Sequence, residues 1–158
     1  ISDRVAGPVM EKAGEFYHGY TYSGHPAAAA AGLASLRILQ EEKLVERVRD
    51  VLAPKLATLW GGLADHPLVG ETRTRGFLGA IELAKNPATG ERFGEEVGAG
   101  ARCRDLCVAN GLVMRAVGDT MILCPPFVIT EDEMDDMAAR ARKTLDDLAD
   151  QLTRDGLM

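Results

Sequence analysis

Two places in this chain carry side chains whose type and spacing suit chemistry on an anion. The first is Phe16-Tyr17-His18-Gly19-Tyr20-Thr21-Tyr22-Ser23-Gly24-His25-Pro26, followed at once by five alanines. Pro26 suits a first helical position, where an N–H has no partner to lose and the fixed φ is already helical. Thr21, Ser23, Gly24 and His25 then surround a helix N-terminus, whose free N–H groups and dipole favour an anion. A hydroxyl such as that of Thr21 would add a donor to a phosphate. The same residues also make an ordinary capped helix start, with Ser23 or Thr21 bonding locally, and residue types leave both readings open. The second place is Arg115, within Met114-Arg115-Ala116-Val117-Gly118-Asp119. Its guanidinium is a planar, permanently charged fork that matches a carboxylate. A lone arginine at a hairpin end is also an ordinary solvated surface charge.

Other constellations are absent from the sequence. Cys103, Cys107 and Cys124 are an odd number. Cys103 and Cys107 stand four apart on an expected helix rather than at a zinc-pair spacing, so the reading is buried free thiols in a reducing compartment. His18, His25 and His66 are scattered, with no matching nucleophile or metal cluster.

Several elements must position these residues. A helix is expected from Pro26 to about Gln40, with a smooth face at Ala27 to Ala31 and an apolar stripe at Leu33, Leu36 and Leu39. A second helical pattern follows, with Leu44, Val48, Val51, Leu52, Leu56, Leu59, Trp60 and Leu63 at three- and four-residue spacing. Pro54 lies inside it and predicts a kink near Val51 to Ala53. Residues 69–75 alternate weakly. Gly76 to Leu83 reads as a strand whose two glycines predict a bulge or a close backbone contact. Asn86 to Gly90 is a turn. A helix from about Glu95 to Ala109, with Val97, Ala101 and Leu106 inward, stops at Asn110-Gly111. Leu112–Arg115 and Thr120–Cys124 form a hairpin across Val117-Gly118-Asp119. Thr130-Glu131-Asp132-Glu133 has the capping-box pattern, and its acidic run is explained by the helix start it occupies. The helix it opens turns Met134, Met137, Ala138, Ala141, Leu145, Leu148 and Leu152 inward, and residues 154–158 are expected to fray. Residues 1–17, broken by Gly7-Pro8 and Gly14, read as a loop with a helical turn.

The order is a long helical segment, a strand, a helix, a hairpin and a helix. That predicts an α+β domain, a small, mainly antiparallel sheet with helices packed on it. The 158 residues, 46% apolar, suffice for one core. A net charge of −6 with interspersed signs gives no basic face for nucleic acid. No apolar run approaches the ~20 residues that span a bilayer. Ile1-Ser2-Asp3-Arg4 is neither an initiator Met nor a signal peptide, and reads as the start of a fragment, a processed product or an ordered remnant.

The run HGYTYSGHPAAAAAGL, then RGFLGAIELA at 75–84, GLVMRAVGD at 111–119 and CPPFVIT at 124–130, closely resembles the class III (ω-type) aminotransferases, which use pyridoxal phosphate. Within that class it looks most like the amine–pyruvate transaminases. The resemblance covers almost the whole chain in the family's order, but only the C-terminal part of the family's length. It implies the C-terminal part of a fold-type I enzyme. Residues 1–40 would end the large cofactor domain and begin the connecting helix, and residues 41–158 would form the small domain. By resemblance, Thr21, with Tyr20 beside it, holds the cofactor phosphate of the opposite subunit in a homodimer or tetramer. Arg115 binds the carboxylate of the amino or keto acid and swings aside for an apolar group. Arg75-Gly76 reads as structural. The Schiff-base lysine is expected upstream of Ile1, because Lys12, Lys43, Lys55, Lys85 and Lys143 do not stand in its family context, so this stretch alone would be inactive. Also implied are a small-molecule amine and a keto acid such as pyruvate, a cytoplasmic location, and no nucleic-acid or membrane partner. Two alternatives stand beside this reading. One is an ornithine-, 4-aminobutyrate- or diaminopelargonate-type member of the class, the other a non-catalytic α+β binding or assembly module.

Overall fold

The structure, a computed structural model, describes residues 2–12 and 19–158. Gly14, Phe16, Tyr17 and His18, which enter the sequence reading, lie outside the described residues. The chain divides into two compact units, Ile1–Glu41 and Glu42–Met158.

The first unit holds α1 (Asp3–Lys12) and α2 (Pro26–Glu41). Helix α1 corrects the expected loop. Arg4, Ala6, Met10, Glu11 and Lys12 are good helix formers, and they carry the helix through Gly7-Pro8 at the loss of one N–H. Helix α2 begins at Pro26, as its missing N–H favours. Leu33 and Leu36 on it are exposed.

The second unit opens with α3 (Leu44–Arg47), a π-helical turn (Val48–Leu52) and α4 (Ala53–Gly61). The kink expected at Pro54 is this wide turn. Proline has no N–H to donate, its ring presses on the turn before it, and one extra residue in that turn relieves the conflict. Inserting that residue rotates the apolar stripe. Leu44, Val48, Leu52, Leu56, Trp60 and Leu63 stay buried, whereas Val51, expected inward, is exposed.

Four antiparallel strands follow, β1 (Val69–Arg75), β2 (Leu78–Leu83), β3 (Arg115–Val117) and β4 (Thr120–Leu123), in the order β1-β2-β4-β3. The expected strand from Gly76 is corrected at its start. Gly76-Phe77 is a two-residue hairpin loop joining Arg75 to its partner Leu78, with Gly76 at φ 55°. Gly79 is the close contact, since a Cβ there would lie 2.9 Å from Trp60 Nε1. The register shift sits in β1, between Val69 and Glu71.

Helix α5 (Ala99–Ala109) starts four residues later than expected, because Gly98 takes a left-handed conformation, φ 60°, that a helix interior does not use. Its buried residues include Cys103 and Cys107, while Ala101, expected inward, is exposed. All three cysteines are free, and Cys124 is exposed rather than buried. Helix α6 (Glu131–Arg154) carries the capping box. Glu133 N–H donates to Thr130 Oγ1 at 3.2 Å, and Thr130 N–H donates to Glu133 Oε2 at 2.7 Å. Its seven expected apolar residues are all buried. The end that was expected to fray is closed instead. Leu157 N–H reaches the Leu152 carbonyl and Gly156 N–H the Thr153 carbonyl, with Gly156 at φ 70°.

Helix α4 lies against β1 and β2, α5 against β3 and β4, and α6 against α4 and α5. One face of the sheet is therefore core. Ile81, Leu83, Met121 and Leu123 point into it, and the alternate residues point away.

Candidate functional site

Arg115 faces away from the core because burial alternates along its segment. Leu112 and Met114 are buried and Ala116 is half-buried, while Val113, Arg115 and Val117 are exposed. Pairing places Arg115 beside Ile122, then Ala80, then Arg73 across the open face. The neighbouring row is Val117, Thr120, Glu82 and Glu71. Charges in these rows are largely spoken for. Arg73 donates to Glu71 at 2.7 Å and to Glu82 at 3.0 Å, and Arg92 also pairs with Glu82. The hydrogen bond from Arg73 holds the Glu82 carboxyl below the usual carboxylate range, helped by Arg92 and the Thr120 hydroxyl. Arg115 differs. Among the described residues its guanidinium has no hydrogen-bond or ion-pair partner; Ile122 pairs with Arg115, and the exposed Val117 and, by the alternation of burial, Val113 flank it. A free planar cation set among apolar side chains can take a carboxylate at the guanidinium and an apolar group beside it.

The turn before α2 is organised by its own backbone. Tyr20 N–H donates to Ser23 Oγ at 3.1 Å, and Ser23 N–H returns a bond to the Tyr20 carbonyl at 3.0 Å. His25 caps the helix. Its Nδ1 accepts from Ala28 N–H at 3.4 Å and its carbonyl from Ala29 N–H at 3.0 Å. Gly24 makes the reversal at φ 74°. Tyr20, Thr21 and Tyr22 are exposed, the Thr21 hydroxyl makes no hydrogen bond among the described residues, and the first turn of α2 carries no acidic side chain. An exposed hydroxyl at an N-terminus free of carboxylates is compatible with a phosphate. Thr21 and Tyr20 thus share one turn of the first unit, and Arg115 belongs to the second.

Comparison with known proteins gives the family of the chain. The family profile for aminotransferase class III matches residues 5–145. The chain belongs to the class III aminotransferases. Putrescine–pyruvate aminotransferase of Pseudomonas aeruginosa is 55% identical over 141 residues, which cover 89% of this chain and 31% of that protein. Gamma aminobutyrate transaminase 1 of Solanum lycopersicum is 40% identical over 80% of this chain and 24% of its own length. An aminotransferase structure from Vibrio fluvialis in its PMP-bound form superposes with a TM-score of 0.80 at 35% identity, covering 92% of this chain and 32% of that one. An ω-aminotransferase structure from Paracoccus denitrificans gives 0.83 at 35% identity, over 94% and 33%. The chain therefore spans about a third or less of these family members, and its α+β fold is that of the C-terminal part of a fold-type I enzyme.

Two features of this structure were not foreseen in the sequence. Glu82, with Arg73, Arg92 and Thr120, ties three strands and the 86–93 loop together. Asp119 Oδ1 accepts from Gly100 N–H at 2.9 Å. The second had one visible signal, an acidic residue directly after the hairpin glycine. A cleft of about 670 Å³ lies around this contact, lined by Phe93, Gly98, Ala101, Ala116, Gly118 and Asp119 among others. It is on the Ala116 side of β3, and Arg115 does not line it. Among the described residues no His, Cys, Asp or Glu cluster could hold a metal, and no helix is long and apolar enough to cross a membrane.

Proposed function

We propose that this chain is the C-terminal part of a pyridoxal-phosphate-dependent aminotransferase that moves an amino group from an amine or ω-amino acid to a keto acid, with pyruvate as acceptor. One observation carries the reading beyond family membership: Arg115, whose guanidinium has no partner among the described residues, stands beside Ile122 and Val117 on the open face of the sheet. Arg115 binds the acceptor's carboxylate. When the bound molecule has an apolar group there instead, Val113, Val117 and Ile122 receive it and the arginine turns to solvent.

Pyridoxal phosphate, when bound, supplies the electron sink that makes the proton beside the amine nitrogen removable. Thr21, with Tyr20 and the turn backbone, holds the cofactor's phosphate, and on this reading that phosphate belongs to the partner subunit's site in a homodimer. Residues 1–40 then belong to the cofactor domain and 41–158 to the small domain. The reactive lysine comes from outside residues 1–158. Lys55 is paired with Asp135, Lys85 with Glu91 and Lys143 with Asp147, which suits lysines kept charged rather than made nucleophilic. Residues 1–158 alone are inactive on this reading, and the intact protein works in the cytoplasm.

The test is amino transfer by the full-length, cofactor-loaded protein. Putrescine, named for the 55%-identical family member, and 4-aminobutyrate are offered as donors against pyruvate and 2-oxoglutarate. Alanine from pyruvate should form faster than glutamate from 2-oxoglutarate. Glutamate alone would move the protein to a 4-aminobutyrate- or ornithine-type reaction, and no transfer from any donor would make it a scaffold.

A further inference from the structure

Strand β3 is three residues long and lies at the sheet edge, paired only with β4 among the described residues. So short an edge strand frays readily unless something else holds it. What holds it is its loop. Val117 pairs with Thr120, leaving Gly118-Asp119 as a two-residue hairpin loop, with Gly118 at φ 57°. The Asp119 carbonyl accepts from Leu83 N–H at 2.9 Å, binding the loop to the end of β2. Its carboxylate accepts from Gly100 N–H at 2.9 Å, binding the loop to α5.

That second bond does two tasks. Gly98 at the N-cap of α5 has no side chain to offer, and the first turn of the helix carries no acidic residue. The amide of Gly100 is one of the donors a helix start leaves without an internal partner. Asp119 therefore caps α5 from a hairpin 19 residues away, and its charge complements the helix dipole. Gly100 is fixed from the other side as well. A Cβ built on it would collide with the Gly118 carbonyl oxygen, so any side chain there must push the loop away. Helix α5 is in turn anchored by Cys103 and Cys107 in the core.

We infer that the contact between Asp119 and Gly100 is a positioning device for Arg115: it fixes the backbone of β3 so that only the arginine side chain, not its strand, moves between acceptors with and without a carboxylate. On this inference Asp119 and Gly100 act through Arg115 rather than on the acceptor or the cofactor. This inference rests on the carboxylate role proposed for Arg115.

The experiment measures, in the full-length enzyme, the ratio of kcat/KM for pyruvate to kcat/KM for an aldehyde acceptor without a carboxylate. Asp119→Ala and Gly100→Ala should each lower the ratio by about 10- to 100-fold, the scale of a displaced binding group. Asp119→Asn keeps an acceptor oxygen in place and should restore most of it. Should Asp119→Ala not fold, Asp119→Ser, whose oxygen is too short to reach Gly100, carries the same expectation. In an Arg115→Ala background, adding Asp119→Ala should leave the ratio unchanged, because the group being positioned is gone. An equal fall for both acceptors, or a further fall of the ratio without Arg115, would overturn the inference. If Arg115→Ala lowers the ratio and neither Asp119→Ala nor Gly100→Ala does, the positioning device fails while the role of Arg115 stands. If Arg115→Ala leaves the ratio unchanged, both fail.

Discussion

His66 is 3% exposed, and its two ring nitrogens have different tasks. Nδ1 accepts from Leu68 N–H at 3.1 Å, so the proton of the neutral ring sits on Nε2, 3.2 Å from Asp146 Oδ1. A second proton would have to go on Nδ1, against the Leu68 amide. Burial pushes the imidazole below its usual range, and Asp146 only partly opposes this. The folded state therefore binds this proton less readily than the unfolded chain, whose histidine titrates near about 6.5. Stability from His66 is present above that pH and is lost as pH falls through it. The urea midpoint of the protein should drop between about pH 7.5 and 5.5, and His66→Gln should flatten that part of the curve. The carboxylates held low by partners, Asp65, Glu82 and Asp147, lose their contribution only at more acid pH. An unchanged slope in His66→Gln would assign the acid sensitivity elsewhere.

At the scale of elements, α4 packs most closely on the sheet at a glycine. Trp60 is fully buried over Gly79, with three ring atoms within 3.2 Å of where a Cβ would be. Gly79→Ala should cost about 1–3 kcal/mol, as overpacking does. Gly61→Ala at the end of α4, where the methyl meets nothing within 4 Å, should be neutral or stabilise by up to ~1 kcal/mol. Chemical unfolding of both variants checks the contrast, and equal effects would remove the packing explanation. This contact also shows where sequence stops being sufficient. Glycines in the 76–83 stretch announced a close approach, but not that Trp60 makes it. The capping box of α6 was legible because all its partners lie within four residues. That Arg115 stands on a hairpin strand was legible from the short runs on either side of Val117-Gly118-Asp119. Its lack of a partner among the described residues was not, because that depends on β4 standing between it and Glu82, and on β4 and β2 standing between it and Arg73. The β1–β2 hairpin was missed because Gly76-Phe77 continues an apolar run, and a glycine-first turn looks there like an interrupted strand. The contact between Asp119 and Gly100 spans 19 residues and joins a loop to a helix, a pairing that no local period encodes.

For the molecule as a whole, the division at Glu41 separates a unit carrying the Thr21 turn from one carrying Arg115. On the proposed function these serve different halves of the chemistry. One grips a cofactor common to every turnover, and the other reads which acceptor has arrived. Changing Arg115 should therefore alter selectivity rather than abolish amino transfer. The most direct test is the acceptor preference of full-length Arg115→Ala. A charge-assisted contact is worth about 1.5–3 kcal/mol, so kcat/KM for pyruvate should fall about 10- to 150-fold while an aldehyde acceptor is spared. Arg115→Lys should recover only part of the loss, since the planar fork is gone. Equal losses for pyruvate and the aldehyde would contradict the account and make Arg115 a residue of the fold.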